Sequence, residues 1–320
     1  MPFASRRGEP VTSVKTAGRV VGLASAVRWV VEARKPSPRT ERILLALASS
    51  AMLIGAFVAW REGAFSSVTF RWWPIVIAAA LGVPATAATN AWEYWLSARA
   101  AGLALRPMEA LRTTILATAA NLLPLPGGPL VRIQALRAGG VTGRTSTQVT
   151  AAAGASWVAV GSLAAAIGGW AAGAPSGAVI PLAALGSLTA FVAASLLRVA
   201  VVGGQRSWGA VGAQLAAIEA VSILVTAARL YLLLLAIGAP AGVGAAIMLA
   251  LASVLATAVG VVPAGLGVRE ALSALLALAV GLPGATGFAV SLMDRIVGLT
   301  VVAPLTLLLS VTRSSREQRS

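Results

Sequence analysis

Along this chain, apolar runs of membrane-spanning length alternate with short polar or basic segments. A helix rising about 1.5 Å per residue needs roughly 20 apolar residues to cross a hydrocarbon core of about 30 Å. Runs of that kind lie near 43–60, 73–97, 147–171, 178–202, 210–237 and 286–310, and each predicts a full span. Two further apolar stretches, 109–138 and 245–282, are interrupted by proline and glycine clusters and predict re-entrant, broken hairpins. The expected fold is an all-α polytopic membrane helix bundle, about six full spans plus two re-entrant hairpins, arranged like an inverted repeat.

The two interruptions share a frame. NLLPLPGGPLVRIQ at 121–134 sets Arg132 six residues after Pro126, and VVPAGLGVREAL at 261–272 sets Arg269 six residues after Pro263. A helix ends inside hydrocarbon only where its freed N–H and C=O groups face protein or water. Matching breaks in two hairpins, each following a span of opposite direction, predict an enclosed polar site near the midplane, as in transporters built from inverted repeats.

Composition narrows the chemistry available. Hydrophobic residues form 58% of the 320-residue chain and the mean hydropathy is +0.86, which excludes a water-soluble globule. There is no cysteine and no histidine, and Asp294 is the sole aspartate. Disulfide and thiolate chemistry are excluded, and zinc, non-haem iron and His-assisted nucleophile chemistry lose their usual residues. No metal and no cofactor are expected.

Charge then orients the chain. The formal net charge is +15, and nine of the 25 Lys/Arg precede the first predicted span. No aromatic-interleaved basic face accompanies them, so they read as a positive-inside signal with affinity for anionic lipid rather than as a nucleic-acid surface. Residues 1–42 are expected to form a basic cytoplasmic leader retained in the mature protein, in which Val20–Val31 suits a surface amphipathic helix or disorder. Residues 43–310 form the membrane domain and 311–320 a cytoplasmic tail carrying Arg313, Arg316 and Arg319. The predicted inner loops hold Arg99, Arg106, Arg144 and Arg206, while the predicted outer loops 172–177 and 238–244 carry no charge. The protein is therefore expected in the cytoplasmic membrane, multi-pass, with both termini inside. Trp60, Trp72, Trp73, Trp170 and Trp208 fall at predicted span ends, as interfacial aromatics do. Trp92, Trp95 and Trp157 are expected to pack within the bundle.

Charged residues inside spans are costly and mark candidate function. Arg132 and Arg269, beside half-helix N-termini with free N–H groups, suit a phosphate. Gly127 and Gly128 in the first hairpin, and Gly265 and Gly267 in the second, expose that backbone. Glu270 is read as a partner that holds Arg269 when the site is empty, with cation-headgroup binding or proton carriage as alternatives. Asp294 and Arg295 lie ~14 Å deep by helical rise and face the same cavity. Glu219 is the functional candidate of its span; Arg229, about 15 Å away along the axis, cannot pair with it and is expected to snorkel outward. Asn90 and Glu93 are assigned solvated or capping roles. Gly161, Gly168, Gly169 and Gly173 are expected at close helix contacts.

NLLPLPGGPLVR, PAGLGVREA and the later Asp294-Arg295 resemble the flippase-like membrane proteins grouped as the lysylphosphatidylglycerol synthase transmembrane region, which includes the membrane domain of the multiple peptide resistance factor. The likeness covers most of 43–310. It implies two re-entrant segments, movement of a lipid or polyprenyl-linked lipid between leaflets, and motif positions at Arg132, Pro263, Gly265, Gly267, Arg269 and Glu270. Members often carry an acidic residue near the position of Pro129, and this chain does not. With no soluble aminoacyl-transfer domain before Ser320, the chain is not expected to make lysylphosphatidylglycerol.

The expected function is that of a lipid flippase, monomeric or homodimeric, moving an anionic phospholipid or polyprenyl-phosphate-linked lipid, with no nucleic-acid partner and no catalytic residue. The alternative is a membrane-embedded transferase on a lipid-linked substrate, with Glu270 or Glu219 as general base.

Overall fold

A computed structural model describes residues 70–121, 127–201, 207–259 and 267–317, with side chains to 301, and the single positions Ser50, Leu53, Phe57 and Arg61. The described residues form nine helices and no strand. In chain order they are α1 (Trp72–Ala100), α2 (Pro107–Ala120), α3 (Gly127–Ala138), α4 (Gly143–Ala171), α5 (Ser176–Ala200), α6 (Trp208–Ala236), α7 (Val243–Val259), α8 (Val268–Ala279) and α9 (Gly284–Glu317). Among the described residues, α1, α4, α5, α6 and the Gly284–Val301 part of α9 are long and apolar enough to cross a membrane. The chain is a multi-pass membrane bundle. The span predicted at 43–60 and the leader at 1–42 lie outside the described residues, apart from the single positions named.

Local sequence sets the helix starts. Thr142 and Ser207 side chains accept the N–H groups of Thr145 and Ala210, at 3.3 and 3.2 Å, and so cap α4 and α6. Pro107 opens α2, where Glu109 Oε2 accepts the Arg106 N–H at 3.0 Å. Within α1 the backbone widens into a π-helical turn over Ala78–Gly82. A Cβ on Gly82 would fall within 2.6 Å of Arg229 Cδ, so the absent side chain admits the arginine of a neighbouring helix.

Side-chain pairings fix direction. Along α1 and α6, Gly82 meets Arg229 and Leu96 packs with Leu215, while Arg71 N–H, just before α1, donates to Ala236 O at 2.9 Å. Rising numbers on one helix meet falling numbers on the other, so α1 and α6 are antiparallel. The short elements that follow them, α2–α3 and α7–α8, start from opposite ends of the bundle. The first pair is a hairpin: Leu136 at the end of α3 shares a cluster with Ala110 near the start of α2, and Val131 packs on Ala117 and Ala120. A Cβ on Gly127 would collide with Ala120 O, which holds the two arms together at their inner ends. In the second half, α8 and α9 are antiparallel, with Gly287 closed against Ser273 and Ala277.

Small residues bring α7 onto α4. Cβ atoms on Gly161, Gly168 and Gly169 would meet Val254 at 3.0 Å, Gly244 O at 2.8 Å and the Met248 side chain. These three glycines sit where sequence places them, at close helix contacts. Gly173 does not: it has φ +79° with nothing within 4 Å of a Cβ, and it turns the chain after α4. Trp72, Trp73, Trp170 and Trp208 are exposed on the bundle surface. Trp92 is 59% exposed, against the expectation that it packs inside. Its helix turns Glu93 inward, and the adjacent position points about 100° away. Trp157 is packed against the main core, and Trp95 donates from Nε1 to Leu105 O at 3.0 Å. Leu188 and Phe191 on α5 are exposed, as a lipid-facing helix requires.

Candidate functional site

Each hairpin is interrupted beside its motif: α2 ends at Ala120 with Asn121 in a turn, and Gly267, at φ +76°, precedes the start of α8 at Val268. Pro126, Pro263 and Gly265 lie outside the described residues. At the start of α3, Gly128 N–H donates to Asn121 Oδ1 at 2.7 Å. At the start of α8, Gly267 takes φ +76° and its N–H donates to Glu270 Oε2 at 2.9 Å. Each half-helix start thus has one backbone donor engaged by the chain's own side chain, and the carboxylate of Glu270 occupies the position expected for a ligand anion.

The second half holds most of the charge. Asp294, 2% exposed and about 15 Å into α9 by helical rise, accepts from Arg229 on Oδ1 and from Arg269 on Oδ2. One carboxylate therefore serves two guanidinium groups. Arg229 also donates from Nη1 to Thr86 Oγ1 at 3.1 Å, tying the triad to α1. Nε of Arg229 and Nε of Arg269 are buried without an acceptor among the described residues. Next to the triad, Arg295 donates to Glu270 Oε1 from Nε at 2.8 Å and to Oε2 from Nη2 at 3.2 Å.

The pairing of the two dipeptides is crossed, Arg269 with Asp294 and Glu270 with Arg295. This corrects the expected Arg269–Glu270 contact. Consecutive residues on a helix point about 100° apart and do not face each other, so each seeks a partner on α9. Arg229 corrects a second expectation: it is 7% exposed and points inward, where Asp294 and Thr86 receive it. Snorkelling loses to an available carboxylate, because a buried guanidinium without one costs several kcal/mol.

The first half is sparser. Arg132 Nη1 lies 2.6 and 2.9 Å from the two oxygens of Glu93, and Nη2 lies 3.5 Å from Asn90 O. Its guanidinium also stands 5.7 Å from the centre of the Tyr94 ring. Glu93 is 7% exposed, so it is an ion-pair partner rather than the solvated residue expected. Its missed signal is the series Thr86, Asn90, Glu93 in α1, where steps of four and three put polar groups on one helix face. That face carries both halves of the site, Arg132 at its Glu93 end and the Arg229–Asp294–Arg269 triad at its Thr86 end.

Glu219 on α6 is 3% exposed and forms no hydrogen bond or ion pair with any described residue. Its electrostatic neighbours are Glu93 and Arg132. Among the described residues no cluster of acids could hold a metal ion. No family model, curated protein or solved structure matches the chain.

Proposed function

We propose that this protein moves an anionic, phosphate-bearing lipid between the leaflets of the cytoplasmic membrane, with both termini on the cytoplasmic side. The observation that carries the reading is the Arg229–Asp294–Arg269 triad: two guanidinium groups share one carboxylate deep in an apolar bundle, at the tip of a broken hairpin. The triad carries one surplus positive charge, which a phosphodiester offsets. Arg269, the more exposed of its two arginines at 17% of its side chain against 9% for Arg229, is the one that meets the phosphate. Arg132, already neutralised by Glu93, is the second station, reached along the polar face of α1. The acyl chains stay in lipid while the headgroup crosses. Hairpins that start from opposite ends of the bundle suit a site opened alternately to either leaflet.

The test is a liposome assay with fluorescent phosphatidylglycerol, scored by loss of outer-leaflet signal to a membrane-impermeant quencher. Arg269→Ala is expected to slow flipping at least tenfold. Equal rates for wild type and Arg269→Ala end the assignment of Arg269.

A further inference from the structure

Among the described residues, Glu219 is the membrane-embedded carboxylate that the ion-pair network leaves over. Glu93 holds Arg132, Asp294 holds Arg229 and Arg269, and Glu270 holds Arg295. Glu219, 3% exposed, is buried like them and has no hydrogen-bond or ion-pair partner among the described residues. The antiparallel register of α1 and α6, fixed by Gly82 with Arg229 and by Leu96 with Leu215, brings Glu219 to the level of Glu93. Two carboxylates therefore attend one guanidinium.

We infer that Glu219 is a proton-carrying site that competes with Glu93 for Arg132, so that proton uptake by Glu219 and anion binding by Arg132 are linked. This deepens the reading of the protein as an anionic-lipid transporter and rests on it. The physics is a charge count. With Glu219 ionised, the Glu93–Arg132–Glu219 group carries one net negative charge in a low-dielectric setting and repels an arriving phosphate. With one proton from water on Glu219, the group is neutral, Arg132 has a single competitor, and its Nη2, held among the described residues only by the 3.5 Å contact to Asn90 O, is open to the ligand. Release of that proton on the other side restores the repulsion and expels the anion.

Among the described residues, Glu93 and Arg132 are the charged neighbours of Glu219. Of the helices packed on α6, α1 contributes Glu93, and α3 reaches Glu219 through Arg132. The span of α7 and the part of α4 beyond Arg144 contain no ionisable residue, and the charge of α5 is Arg198, in its last turn. Asp294 and Arg295 of α9 are engaged by arginines 229 and 269 and by Glu270.

The experiment uses the full chain in weakly buffered zwitterionic detergent with a short-chain phosphatidylglycerol as probe and a short-chain phosphatidylcholine as control. Binding of phosphatidylglycerol to wild type should withdraw protons from the medium, and its affinity should rise at least tenfold as pH falls through the titration of Glu219. Glu219→Gln should bind with affinity independent of pH and without proton uptake, whereas Glu93→Gln should retain the uptake. Equal proton uptake by wild type and Glu219→Gln overturns the inference, as does binding by wild type with no uptake. If phosphatidylglycerol does not bind at all, the transport reading fails separately. The carboxylic-acid infrared band of the unliganded protein then decides: a pH-titrating band in wild type that is absent in Glu219→Gln upholds the proton site, and identical spectra sink it.

Discussion

Replacing Asp294 with Asn keeps the shape of the side chain and removes its charge, so it isolates what one carboxylate does between two guanidinium groups. The wild-type side chain is 3% exposed, and those of Arg229 and Arg269 are 9% and 17% exposed. Stripping the partner from a buried ion pair costs about 3–5 kcal/mol, and here one substitution strips two arginines at once. The more buried of them keeps, among the described residues, only Thr86 Oγ1 as a polar side-chain contact. Asp294→Asn should therefore sit at the upper end of that range. Arg269→Met leaves the Arg229–Asp294 pair intact and removes the more solvated partner, so it should cost only about 1–2 kcal/mol. The double substitution Arg229→Met with Asp294→Asn leaves a single unpaired arginine and should recover part of the loss. Equilibrium unfolding in mixed micelles with a denaturing detergent, followed by tryptophan fluorescence, gives all three free energies. An Arg269→Met protein as unstable as Asp294→Asn, or an Asp294→Asn protein as stable as wild type, would refute a single shared carboxylate as the anchor of this region.

Three further outcomes follow from the same geometry. Gly127→Ala should destabilise the protein by about 1–3 kcal/mol, because its methyl would strike Ala120 O and prise the α2–α3 hairpin open. Gly154→Ala, with nothing within 4 Å of the added methyl, should be neutral or slightly stabilising in the same unfolding assay. Glu270→Gln should cost about 3–5 kcal/mol, since it breaks a buried ion pair in which Arg295 donates to both carboxylate oxygens. A change below 1 kcal/mol would show that Glu270 acts chiefly as the cap of α8, a role an amide also fills.

The spans were legible because hydropathy is a local property. The predicted run 147–171 became Gly143–Ala171 and 210–237 became Trp208–Ala236, each helix starting a few residues before the apolar stretch, next to its capping side chain. The two interruptions were legible for the same reason. The partners of the charges were not, because pairing depends on which helix faces lie together. Glu270 adjoins Arg269 in sequence yet points to α9, and Arg229 is drawn inward by an aspartate 65 residues later. A polar face on α1 was visible in the spacing of Thr86, Asn90 and Glu93. Its meaning depended on knowing that Arg132 of α3 and Arg229 of α6 both reach it.

The wide turn at Ala78–Gly82 holds more backbone than an ordinary turn of α1 would. A chain shortened by one residue inside it can tighten to regular α geometry, with Trp72 and Trp73 on one flank and Thr86, Asn90 and Glu93 on the other all keeping their bearings. The same deletion three or four residues later would instead spin the polar face away from Arg132 or Arg229. Helix α1 thus has one place where its length can drift without disturbing the charges it serves, and naturally shortened or lengthened versions of this helix should differ there.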